Sequence, residues 1–307
     1  MKTLFVSADI HSYYDEWMKA LKRKKFDINN PDHIIVVCGD IFDRGPKPVE
    51  VYEFLKNLPK ERKVLVRGNH EYLLKDLVSR KNPENHDLHN GTLDTVYALA
   101  GWDDAKETHD YYKHQMEMEK EYPEYAKYAR SNNYLWEGRK KCYTSPRVRE
   151  VLEWIFNPAT TEWVNYFELD NYIFVHGFIP LQQHINFEKS QWAGYFVKDR
   201  DDTFREDWRN ATDTEFEDAT WFNWRRDFRL VRNGINQTGK FIVVGHWHTS
   251  DLYILLNGTK KFTYDCPIYI SKRYKIIGLD ACTAGSGKVN VMKLEIPDEE
   301  WEKWRIK

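Results

Sequence analysis

Five short runs of β-branched and apolar residues recur along the chain, and each is followed within one to three residues by a side chain able to ligate a metal. The runs are Thr3–Ser7, His33–Cys38, Lys63–Val66, Tyr172–Val175 and Phe241–Val244. Runs of this kind read as strands buried on both faces. The first leads to Asp9 and His11, the second to Asp40 and Asp43, the third to Asn69 and His70. The fourth leads to His176 and the fifth to His246 and His248. A lone histidine after a strand is ordinary, but five such clusters in succession call for a common cause. In α/β sheets the carboxyl ends of strands are where sites are assembled, so the five clusters can converge on one point.

The intervals between the first three strands carry amphipathic helical patterns at Tyr14–Phe26 and Val49–Leu58, which makes two βαβ crossovers. Asp9, Asp40 and Asn69 are spaced about 30 residues apart, the length of one such unit. The ligand types are carboxylate, imidazole and an amide oxygen, with no thiolate. That set suits borderline-to-hard divalent ions rather than a structural zinc. A carboxylate between two groups of ligands can bridge two ions. A metal pair about 3.5–4 Å apart clamps both oxygens of an in-line displacement and brings bound water toward a pKa of about 7.

Composition sets wide bounds. The 307 residues suffice for one large catalytic domain, and with 41% hydrophobic and 31% charged residues the chain reads as globular and soluble. A net charge of −2 offers no global attraction for nucleic acid or an anionic membrane, so affinity for phosphate has to be local. Cys38, Cys142, Cys266 and Cys282 are scattered without a C-x-x-C pair, which indicates free thiols in a reducing cytosol. The apolar run near Met1 is too short for a signal segment, and no stretch approaches a membrane span. A cytoplasmic location is expected.

The motifs are Asp9-Ile10-His11, Gly39-Asp40-Ile41-Phe42-Asp43-Arg44-Gly45, Arg67-Gly68-Asn69-His70-Glu71, His176-Gly177 and Gly245-His246-Trp247-His248. In order and spacing they resemble the calcineurin-like metallophosphoesterase superfamily. The nearest branch is that of the PPP-type serine/threonine phosphatases, their bacterial and phage relatives, and the symmetrical diadenosine tetraphosphatases. Asn90-Gly91-Thr92 and the segment Ile277-Gly278-Leu279-Asp280 through Lys288 also fit. The resemblance implies an α/β fold, a sandwich of two mixed β-sheets flanked by helices. A single catalytic domain would span 1–307, with a helical insertion at about 80–168.

The resemblance also implies a site. Asp9 and His11 would hold a first metal, Asp40 would bridge, and Asn69, His176 and His246 would hold a second. His248 would join the first metal, as in the wider superfamily. His70 would protonate the leaving oxygen, oriented by Asp43, while Arg44 and Arg67 would grip phosphate with their planar forks. Two divalent ions are implied, manganese foremost, with iron or zinc as alternatives. Departures from the family pattern are Ala8 and Ser12 at positions usually held by Gly, and Phe178 where a second Gly is common.

The implied reaction is hydrolysis of a phosphate monoester by a metal-bridging hydroxide, with phosphoserine or phosphothreonine in proteins as the favoured substrate. A diadenosine tetraphosphatase-like nucleotide hydrolase and a phosphodiesterase are the enzymatic alternatives. A non-catalytic binding module is disfavoured by the intact His70 and Asp43. Gly285-Ser286-Gly287-Lys288 lacks P-loop spacing and reads as a hairpin turn before a strand at Val289–Leu294. His86 and His89, in a polar, helix-poor stretch, read as solvent-exposed, as do His109 and His114. Near Trp221 and Trp224, Arg225 and Arg226 read as surface cations on an aromatic in preference to a third phosphate contact. Asp103–Ala129 and Arg147–Phe156 have helical patterns. Together with about Leu181–Arg226 the insertion is expected to wall the substrate cleft.

Overall fold

The computed structural model describes residues 1–102, 116–117, 120–122, 141–183, 185–190, 194–200, 202–222, 224–258 and 267–305; within these, 185–190, 194–200, 224–227 and 305 are described by backbone alone. The five apolar runs form strands β1 (Lys2–Ser7), β2 (His33–Cys38), β3 (Lys63–Val66), β6 (Tyr172–Phe174) and β9 (Phe241–Val244). Short strands β4 (Trp163–Val164) and β5 (Phe167–Glu168), and later β10 (Tyr269–Ser271), β11 (Ile276–Gly278) and β12 (Met292–Ile296), complete two sheets. One has the order β12-β1-β2-β3-β4, parallel except for β12, and the other β10-β11-β9-β6-β5, parallel through its three central strands. A separate antiparallel hairpin joins β7 (Ile185–Ser190) and β8 (Gly194–Arg200).

Strand periodicity decides how the layers stack. Side chains alternate between sheet faces, so Leu4, Val6, Ile34, Val36 and Val64 point one way and meet Phe174 and Val243 of the second sheet in a shared inner core. Phe5, Ile35, Val37 and Leu65 point the other way, onto helices. These are α1 (Tyr14–Arg23), α2 (Pro48–Asn57), α3 (Asn69–Arg80), α5 (Thr92–Ala100) and α6 (Pro146–Phe156), with the short α4 (Asn85–His89) between α3 and α5. Ile173, Ile242 and Val244 on the second sheet face a further cluster that includes Phe216 of helix α7 (Asp213–Thr220), Val231 of α8 (Trp224–Arg232) and Leu252 of α9 (Thr249–Asn257). A two-sheet sandwich flanked by helices is therefore the fold.

The helices follow their sequence patterns with small shifts. Helix α1 buries Trp17, Ala20 and Leu21, with acids in its first turn and bases in its last. It stops at Arg23 rather than Phe26. The Lys24 nitrogen already bonds to Ala20 and Leu21, and Lys25 turns left-handed at φ 66°, which returns Phe26 to pack edge-on against Phe5 at 5.2 Å. The stretch around His86 and His89 was expected to be helix-poor and instead forms α4, although both histidines are exposed.

The expected hairpin turn at Gly285-Ser286-Gly287-Lys288 is also corrected. Thr283–Ser286 is a helical turn, α10, closed by Gly287 at φ 64°. The following strand begins at Met292 and pairs with β1, because Val289 and Val291 are drawn into the helix-covered core. Of the expected insertion helices, Arg147–Phe156 is found as α6. Asp103–Ala129 lies largely outside the described residues, together with His109, His114 and Cys266. No described helix is long and apolar enough to cross a membrane.

Because the inner core is shared by both sheets, removing one of its large side chains should loosen both together. Phe174 is fully buried, two residues before His176, and Phe174→Ala is expected to cost about 3–5 kcal/mol. Urea denaturation should show a single transition at lower midpoint. Two separated transitions would mean that the sheets do not share a cooperative core.

Candidate metal centre

Each ligand cluster sits where a parallel strand ends and the chain must turn at once. The turns are tight enough to force non-glycine residues into the left-handed region: Asp9 at φ 51°, His11 at 47°, Ser12 at 59°, Asp40 at 53°, Asp43 at 71°, Arg44 at 60° and His246 at 52°. Such a conformation costs on the order of 1 kcal/mol per residue and persists only where surroundings enforce it. Ser12 takes this conformation at the position where a glycine was expected, fully buried, with its nitrogen bonded to the Ile41 carbonyl at 2.8 Å.

Asp40 lies at the middle, 2% exposed. Its Oδ1 is 3.2 Å from His176 Nε2 and accepts the His70 backbone N–H at 3.0 Å. Its Oδ2 faces the other way, 3.8 Å from His11 Nε2 and 3.7 Å from His70 Nε2. Two groups of potential ligand atoms result, each within 4.8 Å of one another: His11, Asp40 and His70, and Asp40, His176 and His246. Both share Asp40. Asn69 Oδ1 adds to the second, 2.8 Å from His176 Nε2. Asp9, 1% exposed, belongs to neither group, and its two oxygens accept the His246 backbone N–H at 3.1 and 3.0 Å.

Tautomers are set for metal binding. His11 Nδ1 lies 3.1 Å from the Phe42 carbonyl and His176 Nδ1 lies 2.9 Å from the Cys38 carbonyl. A carbonyl only accepts, so each Nδ1 is the donor and each Nε2 is directed into the site, as metal-ligating imidazoles require. Burial and the neighbouring His70 hold His11 well below the usual histidine range, and burial with His176 takes His246 down to about 3. Burial and the Asp280 carboxylate push Asp9 well above the ordinary carboxylate range. Asp40 is held well below it: burial opposes ionisation, but His176 and His70 outweigh that. His176 is pushed up to about 10, burial being outweighed by Asp40. The donors present, carboxylates and imidazole Nε2 atoms around a shared buried Asp40, fit two divalent cations once His176 gives up its proton, with Asp40 between His11 on one side and Asn69, His176 and His246 on the other.

His70, a member of the first group, also meets a second carboxylate. His70 Nδ1 is 2.8 Å from Asp43 Oδ2, and Asp40 with Asp43 raises its pKa against burial. The Arg44 guanidinium spans the mouth, with Nη1 3.2 Å from His11 Nε2 and Nη2 3.2 Å from His70 Nε2. Nη2 also reaches Asn90 Oδ1 at 3.5 Å.

Two further expected site residues stand apart. Arg67 donates from Nε to the Ile155 carbonyl at 3.1 Å and from Nη1 to Asn165 Oδ1 at 3.0 Å, with its guanidinium 5.8 Å from the Phe156 ring. None of these partners belongs to the ligand groups. His248 lies with Nδ1 3.5 Å from Asp251 and Nε2 3.6 Å from Asp280. Burial lowers its pKa, but Asp251, Cys282 and Asp280 together carry it up to about 11. It belongs to neither group of ligand atoms among the described residues. The side chains of Arg225 and Arg226 lie outside the described residues.

Residues missed as functional are those that hold the ligands. Glu71 is fully buried, and its carboxylate accepts from the nitrogens of Asp40, Ile41 and Gly68 at 3.1, 2.9 and 2.7 Å. A Cβ at Gly68 would lie 2.3 Å from Asp40 Oδ1, so only glycine lets the third turn close on the second. The glutamate following Gly-Asn-His was the visible signal. Thr92, Thr95 and Thr283 also bond to Asp43 or Asp9, and sequence spacing alone carried no sign of those contacts.

Residues 2–250 match the family model of the calcineurin-like phosphoesterases. The chain belongs to this family. Over 94 residues it is 37% identical to the symmetrical bis(5'-nucleosyl)-tetraphosphatase of Buchnera aphidicola subsp. Baizongia pistaciae, a match covering 30% of this chain and 32% of that one. Over 72 residues it is 36% identical to the asymmetrical bis(5'-nucleosyl)-tetraphosphatase PrpE of Bacillus subtilis, covering 21% and 30%. The chain thus spans about a third of the length of these curated relatives. A solved cold-active protein-tyrosine phosphatase of a psychrophilic Shewanella species is 15% identical, with a TM-score of 0.45, covering 96% of this chain and 76% of that one. Members of this family use divalent metals, which the donor groups around Asp40 fit.

The raised pKa of His176 predicts proton-coupled metal uptake. A histidine raised from about 6.5 to about 10 gives the metal-free protein stability that is full below pH 6.5. That contribution is lost as pH rises toward 10. Near pH 8 the metal-free site carries this proton, and a ligating imidazole must be neutral. Titration calorimetry with Mn²⁺ in buffers of differing ionisation enthalpy should show net proton release, with affinity rising as pH rises. Uptake without proton release would mean that His176 is neutral before metal binds.

Proposed function

We propose that this calcineurin-like phosphoesterase hydrolyses dinucleoside polyphosphates of the bis(5'-nucleosyl)-tetraphosphate kind, with two divalent cations, manganese foremost, held around Asp40. The observation that carries the hydrolytic reading is the juxtaposition of Arg44, the His70–Asp43 pair and Asp40 within hydrogen-bond or near-contact distance. The cations, when bound by Asp9, His11, Asp40, Asn69, His176 and His246, would neutralise phosphate charge and activate water. Arg44 presents a planar fork to phosphate oxygens at the mouth, which a lysine could not reproduce. His70 keeps its Nε2 toward that position and its Nδ1 on Asp43, the arrangement of a general acid for the departing oxygen. Arg67, held by Ile155 and Asn165, is a weaker candidate for a phosphate grip.

The substrate reading is supported by the curated relatives' activities and by two surface features. Trp221 is 44% exposed, and its ring lies edge-on 6.3 Å from His246, a face on which a base can stack. From Asn90, beside Arg44, a groove of about 1370 Å³ runs past His86 and His89 to Met116, Glu117 and Lys120 of the insertion. The second reading, a phosphoserine/phosphothreonine phosphatase, rests on the motif order and on the same acid pair, and a peptide could occupy the same groove.

A panel of diadenosine tetraphosphate, a phosphothreonine peptide, para-nitrophenyl phosphate and a phosphodiester, with Mn²⁺ and with chelator, decides between them. Preference for the dinucleotide is expected, abolished by chelator; preference for the peptide would replace the substrate reading. The acid role makes a further prediction. His70→Ala should lower kcat on an alkyl phosphate by about 10²–10⁴-fold while retaining metal. It should lower it far less on para-nitrophenyl phosphate or the dinucleotide, whose leaving groups are already acidic. Equal losses on all of them would remove His70 from the acid role. Deleting 103–129 should change substrate preference if the insertion walls the groove, and unchanged preference would sink that assignment.

A further inference from the structure

The first turn of α5 is pressed against the turn that carries the acid's partner. Gly91, at φ +74°, packs so closely there that a Cβ would lie 2.7 Å from the Arg44 nitrogen. From this turn two buried hydroxyls reach Asp43. Thr92 Oγ1 donates to Asp43 Oδ2 at 2.7 Å, and Thr95 Oγ1 accepts the Asp43 N–H at 3.1 Å. Asp43 Oδ2 is the same oxygen that accepts from His70 Nδ1 at 2.8 Å. Thr92 and Asp43 are both 0% exposed, so bulk water does not compete for that oxygen. The other carboxylate oxygen, Oδ1, is buried without a hydrogen-bond partner among the described residues.

A carboxylate's terminal torsion is soft and roughly two-fold. A single contact with His70 would leave the two oxygens free to exchange, and with each exchange the imidazole would lose its fixed plane. A second donor aimed at one oxygen removes that freedom. We propose that Thr92 is a positioning residue for the leaving-group acid: its hydroxyl locks the Asp43 carboxylate so that Oδ2 holds His70 Nδ1 and the Nε2 edge of the ring stays turned toward Arg44 and Asp40. Thr95 fixes the backbone of the same strained turn, where Asp43 and Arg44 are left-handed at φ 71° and 60°. The inference rests on the phosphoesterase reading and adds to it a hydroxyl that touches neither phosphate nor the ligand groups.

Thr92→Val keeps the shape and removes the donor, and Thr92→Ser restores the donor without the methyl group. Both should bind Mn²⁺ as the wild type does. In Thr92→Val, kcat on an alkyl phosphate should fall about tenfold and on para-nitrophenyl phosphate no more than about twofold, because only the former depends on delivery of a proton. Thr92→Ser should recover most of the loss. The His70 Nδ1–H proton resonance should be retained in the wild type and in Thr92→Ser and lost to exchange in Thr92→Val, a readout that needs no turnover. Equal losses on both phosphates, failure of Thr92→Ser to recover, or an unchanged resonance in Thr92→Val would each overturn the assignment. A wild type inactive on every phosphate, with the resonance still dependent on Thr92, would instead overturn the phosphoesterase reading and leave the positioning role standing.

Discussion

Asp40 is a carboxylate taken almost wholly out of water, with one oxygen turned to His176 and the other to His11 and His70. Isolated, a buried anion of this kind would cost several kcal/mol. In the metal-free chain that cost is met by a protonated His176, whose pKa rises as that of Asp40 falls. Nearby, Asp9 and Asp280 cannot also ionise freely, and both are displaced upward by burial. Acids and imidazoles crowded at the seam of two sheets form a charge arrangement that divalent cations complete. Much of the surrounding structure can be understood as the means of holding it.

Those means are backbone ones. Parallel strands from both sheets end at the same edge, and the turns leaving them are left-handed at seven non-glycine residues. Glu71 ties three nitrogens of two of these turns to one carboxylate. Burial and the Asp40 charge push its pKa up to about 7, so Asp40 and Glu71 disfavour each other's ionisation, and cations beside Asp40 would favour both. The strained turns, the buried acids and the shared core between the sheets are thus coupled. A ligand is positioned by strand register, and strand register is set by which face of each strand packs inward.

Legibility in the sequence followed the same division. Three of the five strands begin and end where the apolar runs do, because β-branched residues buried on both faces leave little choice of structure. Asp40, His11, His70, His176 and His246 were visible because ligand types recur directly after strands. Arg67 and His248 were chosen by motif position, but the structure turns Arg67 to Asn165 and Ile155 and His248 toward Asp251 and Asp280. Thr92 stood out only as the end of the Asn90-Gly91-Thr92 stretch, with no role attached, and Thr95 did not stand out at all. Their hydrogen bonds cross about 50 residues of chain to Asp43, and no local periodicity records such a contact. The turn at Gly285–Lys288 was misassigned because glycine and serine satisfy a hairpin and a capped helical turn equally well.

The central claim is that a single carboxylate, Asp40, serves both groups of ligands. It is tested most directly by counting metal. After reconstitution with Mn²⁺ and desalting, the wild type should carry two ions per chain by inductively coupled plasma mass spectrometry. Asp40→Asn, which keeps the shape and removes the charge, should lose metal occupancy and hydrolytic activity together. Asp40→Asn carrying two ions would contradict the account, because each site would then be complete without the residue placed between them.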